Sequence, residues 1–283
     1  MREMTLRELQ LFALDILKDV SDFCIRNQIK YSLYGGTLLG AIRHSGFIPW
    51  DDDIDIIMPR NDYNRFCSIY KSKNYHVVNR NNDKSFQLAY SRVCDISKTI
   101  YKAVEPCSNK PTGVWIDVFP ADGCPPNETD IVDFYKANQQ LYQKTERVRW
   151  SMASFSSEWN RMYSQKGILR AIRRMIGLSY RKIYYNLSGK KDLWISRLIK
   201  LNSTYKYGET SFWGSFSCLY KSVVYHPMDS FNECILCKFE DAEFYILKGY
   251  DGLLKRVYGD YMDLPPKEQQ KPPLEKWYKF YWI

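Results

Sequence analysis

Apolar residues alternate between two spacings along this chain, and each spacing predicts a different element. Leu9, Phe12, Ile16, Val20 and Phe23 recur at helical intervals behind Thr5-Leu6-Arg7-Glu8, a capping-box sequence, so residues 6–27 are expected to form an amphipathic helix. Tyr31 and Leu33 alternate as in a strand over 30–34, and Gly35-Gly36 then leads into the helical spacing of Leu38, Leu39, Ala41 and Ile42. Asp51, Asp53 and Asp55 alternate with Ile54 and Ile56, predicting a strand with carboxylates on one face and isoleucines in the core. Pro59-Arg60-Asn61-Asp62 ends that strand and opens a helix carrying Tyr63, Phe66, Cys67 and Tyr70. Strand-like runs follow at 75–79, 86–93 and 98–104, expected to continue one mixed sheet, and then Gly113–Pro120. In that last run Asp117 shares a face with Trp115 and Phe119. A helix is expected from Asn127–Asp130 to about residue 149, a helix and loop over 192–215, and strands at Val223–Tyr225 and Cys234–Phe239. Leu253, Leu254, Val257 and Tyr258 predict a last helix, stopped by Gly259.

Two devices therefore stand within one short span. A glycine pair at a strand-to-helix turn lets backbone N–H groups approach a phosphate, and the helix N-terminus favours negative charge. Gly35, Gly36 and Thr37 are the candidates for that cradle. Asp53 and Asp55, with Asp51 assisting, crowd carboxylates onto one face. A hard cation, Mg²⁺ or Mn²⁺, relieves such crowding and bridges substrate phosphates. Each half alone has a plain structural explanation, a hairpin or a helix cap. Together they point to metal-assisted phosphoryl or nucleotidyl transfer. An aspartate set into an apolar strand is costly unless paired or metal-bound, which makes Asp117 the third carboxylate, as metal ligand or general base. Asp122, before Gly123, reads as a turn residue. Arg43 offers a guanidinium for a donor phosphate; His44 is left without a role.

The run Gly-Gly-Thr-Leu-Leu-Gly-Ala-Ile-Arg-His-Ser-Gly-Phe-Ile-Pro-Trp-Asp-Asp-Asp-Ile-Asp-Ile at 35–56 resembles the signature of the LicD family, in the nucleotidyltransferase superfamily, with fukutin and fukutin-related protein as distant relatives. Ile-Asp-Val-Phe-Pro-Ala-Asp-Gly at 116–123 falls where the superfamily's third acidic residue is expected. Tyr-Gly-Asp-Tyr-Met and Leu-Pro-Pro at 258–266 resemble the family's C-terminal part. The resemblance implies an α/β (α+β) nucleotidyltransferase-like mixed sheet flanked by helices. It implies transfer of a phospho-alcohol from a CDP-linked donor to a hydroxyl of a glycan or lipid-linked glycan, with Mg²⁺ or Mn²⁺ as cofactor. The alcohol stays open between phosphocholine, glycerol phosphate and ribitol phosphate. Choline would need an aromatic cage, for which Tyr and Trp are ample. Asp260 and Tyr261 are candidate contacts to donor or acceptor. One departure stands out: after Leu-Pro-Pro the family continues with an arginine and a histidine. This chain runs Lys267-Glu-Gln-Gln-Lys-Pro-Pro, which points to a different substrate or weakened activity. Two rival readings are an Asp-x-Asp glycosyltransferase using a nucleotide sugar and a non-catalytic, basic membrane-associated subunit. The glycine turn beside the aspartates speaks against the first.

Composition changes the picture in three places. The net charge of +9 over 283 residues suits anionic partners. It concentrates between Trp159 and Lys191, which contain no acidic residue but Arg161, Lys166, Arg170, Arg173, Arg174, Arg181, Lys182, Lys190 and Lys191, with Ile168, Ile172, Met175 and Ile176 as a helical stripe. That pattern fits a basic helix on an anionic membrane as well as a helix packing its stripe on the core with a solvated basic face. No nucleic-acid partner is expected, because no recognised motif accompanies the charge. The eight cysteines read as core thiols of a reducing compartment, with a structural zinc on Cys234 and Cys237 plus Cys218, Cys107 or Cys124 as the less favoured alternative. The start of the chain lacks an apolar signal region, which together with the resemblance implies a bacterial cytoplasmic place, with a peripheral position on the inner face of the plasma membrane if the basic helix binds lipid. The organisation expected is a catalytic core over 1–150, a basic helical insert over 151–215, and a C-terminal part over 216–283 packing back on the core.

Overall fold

The computed structural model describes residues 1–103, 107–217, 223–272 and 278–283, without the side chains at positions 157, 161 and 165. Its strands are β1 (Arg2–Glu3), β2 (Ser32–Leu33), β3 (Asp55–Pro59), β4 (Tyr75–Val78), β5 (Ser91–Asp95), β6 (Thr99–Ala103), β7 (Trp115–Gly123), β8 (Phe212–Gly214), β9 (His226–Pro227), β10 (Cys234–Phe239), β11 (Ala242–Leu247) and β12 (Tyr278–Trp282). Its helices are α1 (Leu6–Arg26), α2 (Gly35–His44), α3 (Arg60–Ile69), α4 (Glu128–Ser151), α5 (Phe155–Lys166), α6 (Ile168–Leu187), α7 (Leu193–Asn202) and α8 (Tyr250–Tyr258).

The main sheet runs β2-β3-β7-β5-β4, with β8 attached to β7 and β9 to β8. The β3–β7 pair is parallel and the other pairs are antiparallel, so the expected mixed sheet is present. All nine residues of β7 are buried, which is why it reads as a near-continuous apolar run with Asp117 and Asp122 set into it. α1 covers the sheet. Its capping box forms as expected, Thr5 with Glu8, and Leu9, Phe12, Ile16, Leu17 and Val20 enter the core. Burying each such side chain contributes about 1.5–3 kcal/mol.

The sheet differs from expectation in four ways. β6 does not continue the main sheet; it joins a separate antiparallel sheet, β1-β12-β6, that ties the two chain ends together. The run at 86–93 becomes a strand only from Ser91. Val223–Tyr225 is not a strand; β9 follows it, where Trp213 and His226 pair across the ladder. Asp122 is not a turn residue: it lies in β7, buried, and its carboxylate accepts two hydrogen bonds from Arg60 at 2.6 and 2.5 Å. The hairpin β10–β11 turns at Glu240, whose φ of +59° is tolerated at a tight turn. Glu240 in turn accepts from Arg7 and from the Phe47 backbone N–H. Gly259 stops α8 as expected, with φ of +66° and its N–H donating to Lys255 O. Among the described residues no helix is long and apolar enough to cross a membrane.

Candidate active site

The parallel ladder does the first part of the assembly: Asp55 of β3 lies directly opposite Asp117 of β7. Asp53 precedes β3 and swings into the same place. Carboxylate oxygens of Asp53, Asp55 and Asp117 all lie within 4.8 Å of one another, and so do those of Asp51, Asp52 and Asp53. Asp53 thus belongs to both groups. The strand expected over 51–56 begins only at Asp55, so strict alternation is not what gathers the carboxylates. The preceding loop does so. It is tied down by Gln10, whose side-chain amide donates to Asp51 O at 2.8 Å, and by Tyr278, whose hydroxyl donates to Asp52 Oδ2 at 2.9 Å.

The glycine turn packs against this cluster. Gly35 has φ of +55°, and a Cβ there would meet Asp55 Oδ2 at 2.8 Å; a Cβ on Gly36 would meet Asp51 Oδ2 at 2.5 Å. Only glycine allows the helix start and the carboxylates to stand so close. α2 has no side-chain cap, and its first two residues pack against the acidic cluster. Thr37 is buried, and its hydroxyl accepts from the Asp55 backbone N–H at 2.9 Å, which fixes the strand entry to the helix start.

Electrostatics confirm the crowding. Burial pushes the carboxyls of Asp53 and Asp55 well above the usual range, and neighbouring carboxylates push the same way. Asp51 is pushed up to about 6 by burial and by the charge on Asp52. Asp117 is raised by burial, against the pull of Arg92. Arg92 Nε donates to Asp117 Oδ1 at 2.8 Å, Arg92 Nη1 to Cys107 Sγ at 2.9 Å, and the guanidinium lies 3.9 Å from the centre of the Trp115 ring. An all-oxygen set of convergent carboxylates, short of positive charge, fits a hard divalent cation. Among the described residues both clusters able to hold a metal are made of aspartates, and Cys218, one of the cysteines weighed for zinc, lies outside the described residues.

Beside the carboxylates opens a cavity of about 310 Å³. Asp53 and Asp117 are among its lining residues, Arg92 and Arg149 add positive charge, and Tyr90, Tyr101, Trp115 and Tyr278 line it with rings. Tyr101 and Trp115 meet edge to face at 4.8 Å, and Tyr278 stands 5.7 Å from Tyr101. Sequence reasoning assigned none of Tyr90, Arg92, Tyr101, Arg149 or Tyr278. Arg92 had a detectable signal, an arginine inside an otherwise apolar strand run. Tyr278 sits in an aromatic run of strand-forming residues at the chain's end.

Three expected site residues stand elsewhere. Arg43 does not line this cavity; its Nη1 donates to the carbonyls of Tyr261 and Asp263, both at 2.9 Å. Asp260 and Tyr261 do not line it either, and the Tyr261 hydroxyl donates to Asp251 at 2.9 Å. Arg43 therefore ties α2 to the C-terminal segment.

Comparison with known proteins matches residues 28–161 to the family described as LicD/FKTN/FKRP, nucleotidyltransferase domain. The chain is 35% identical over 279 residues to the lipopolysaccharide cholinephosphotransferase LicD of Haemophilus influenzae, covering 96% of this chain and 97% of that protein. It is also 37% identical over 84 residues to an uncharacterized protein of Rickettsia typhi, covering 29% of this chain and 26% of that protein. The match to the family spans the glycine turn, the aspartate run and β7, and that to the Haemophilus protein nearly the whole chain; the chain belongs to the LicD family.

Proposed function

We propose that the chain transfers a phospho-alcohol, phosphocholine in the first place, from a CDP-linked donor to a hydroxyl of a cell-surface glycan precursor. The observation that carries this is the convergence of Asp53, Asp55 and Asp117 beside the glycine turn, with Asp53 and Asp117 lining a ring-lined cavity. The Haemophilus relative's name supports phosphocholine, and so do the rings, because a quaternary ammonium is attracted to aromatic faces.

Asp53, Asp55 and Asp117, with Asp51 beside them, would hold a Mg²⁺ or Mn²⁺ ion, which when bound would neutralise charge on the donor pyrophosphate. The rest of the mechanism falls to this chain's side chains. The acceptor oxygen attacks the phosphorus bearing the alcohol; a new P–O ester bond forms, the P–O–P anhydride bond breaks, and CMP leaves with the electron pair. The acceptor hydroxyl's proton passes to a carboxylate of the cluster, with Asp117 the best placed, since Arg92 holds it through Oδ1. Arg92 and Arg149 supply positive charge in the cavity. Gly35 and Gly36 let the helix N-terminus stand directly against the carboxylates that would hold the metal, the side from which donor phosphates would approach.

Thermal unfolding tests this reading against nucleotide-sugar chemistry. CTP with Mg²⁺ is expected to raise Tm by several degrees, an effect of about 2–3 kcal/mol at a hundredfold excess over Kd. UDP with Mn²⁺ is expected to give no more than Mn²⁺ alone. Stabilisation by UDP–Mn²⁺ without any by CTP–Mg²⁺ would shift the assignment to sugar transfer.

A further inference from the structure

α6 presents its more apolar face to solvent. Its inward residues, Ala171, Leu178 and Tyr185, recur every seven positions and are buried. On the opposite side Leu169, Ile172, Ile176, Tyr180, Ile183 and Leu187 form a continuous stripe at spacings of three and four. Leu169 is 76% exposed, Ile176 65% and Leu187 83%. Of the stripe expected from the sequence, Ile168, Ile172, Met175 and Ile176, the three isoleucines are exposed and Met175 is half-buried, so the isoleucines are not what packs α6 on the core. Tyr163 of α5 is exposed as well. A surface helix of a water-soluble domain normally turns its apolar face inward, and an outward apolar stripe of this length marks a surface that something covers.

Charge identifies what covers it. Arg170 and Arg173 are exposed beside the stripe, Lys166 precedes it, and Lys190 and Lys191 follow it. From Trp159 to Lys191 there is no acidic residue. Glu158, just before, is buried and bonded to Arg174, so it does not offset the outward charge. A twofold contact between copies of α6 would set these basic rows against each other. An anionic lipid surface takes both features together: acyl chains receive the isoleucines and leucines, headgroup phosphates receive the lysines and arginines, and tyrosines sit at the boundary. At 1.5 Å rise per residue, α6 would lie along the interface for about 30 Å.

We propose that the outward face of α6 is an interfacial membrane-binding helix for anionic lipid. It holds the chain at the surface of a bilayer without crossing it. This stands apart from the chemistry assigned to the carboxylate site, since none of its residues touches that site.

Flotation of the full chain with phosphatidylglycerol–phosphatidylcholine vesicles, against pure phosphatidylcholine, tests it. Binding is expected to the anionic vesicles only, and to weaken as salt rises. Arg170→Gln with Arg173→Gln is expected to weaken it by about fivefold per charge. Ile176→Ser with Ile183→Ser is expected to remove most of the remainder. Both variants should keep the wild-type melting temperature and the wild-type turnover of a soluble acceptor, because the altered side chains point outward. Failure of the wild type to float, or equal flotation of the serine variant, overturns the proposal. So does a concentration-dependent dimer in light scattering that the serine variant abolishes, which would assign the stripe to a second copy.

Discussion

Asp53→Asn is expected to cut phospho-alcohol transfer by at least about a thousandfold while leaving the protein folded. Asp53 is the one carboxylate shared by both acidic groups, and it also faces the ring-lined cavity. The change keeps the side chain's shape and removes a charge that its neighbours oppose. The metal-free variant should therefore unfold at the same temperature as the wild type or higher. A residue important only for folding would give the opposite, a lower Tm with activity lost in proportion. The pH dependence follows from the same crowding. Asp51 is raised from 3.8 to about 6, so between these values the folded state binds more protons than the unfolded one. Its favourable contribution is complete below about 3.8 and is lost as pH rises through about 6. In the metal-free protein the wild type's disadvantage relative to Asp53→Asn should thus be larger at neutral pH than at mildly acidic pH. Scanning calorimetry in chelator at both pH values checks this. A disadvantage that shrinks as pH rises would contradict the assignment of mutual repulsion.

Arg92→Met is expected to be the most destabilising single change near the site, by about 3–5 kcal/mol, because it leaves Asp117 buried without its cation. The guanidinium and the Asp117 carboxylate are 11% and 9% exposed, their N–O distance is 2.8 Å, and the cation also covers the Trp115 ring. An exposed ion pair would cost about 0–1 kcal/mol, so the size of the loss reports burial. Arg92→Met combined with Asp117→Asn should recover much of the stability and none of the activity. Urea unfolding with parallel rate measurements separates the two effects. A loss near 1 kcal/mol for Arg92→Met would mean that the pair is solvated and that Arg92 does not fix Asp117.

Much of this site is local in sequence and legible there. Gly35, Gly36, Asp53 and Asp55 lie within one span, and Asp117 announced itself as a charge inside an apolar strand. The register that sets Asp55 against Asp117 required only that β3 and β7 be parallel neighbours. The cavity walls were not legible, because they depend on pairing between distant segments. Tyr101 and Tyr278 meet only because β6 and β12 join in a second sheet, and no local pattern announces such a pairing. Arg149 lies in the last turn of a long helix, where a basic residue needs no explanation beyond the helix dipole. Arg43 shows a related limit: an arginine near a phosphate-type turn and an arginine bonding to distant carbonyls have the same sequence context. α6 shows the limit of periodicity itself. The spacing specifies a helix, but its richest apolar stripe faces outward, while a sparse set of Ala171, Leu178 and Tyr185 makes the contact with the rest of the protein.

The most direct test of the central claim is ³¹P NMR of the purified chain with a glycan extract, Mg²⁺ or Mn²⁺, and CDP-choline, CDP-glycerol or CDP-ribitol in turn. The account predicts CMP and a new glycan phosphodiester in equal amounts from one donor, CDP-choline first, with both signals absent for Asp53→Asn. Intact donors in all three reactions, or phosphodiester formation that persists in Asp53→Asn, would contradict it.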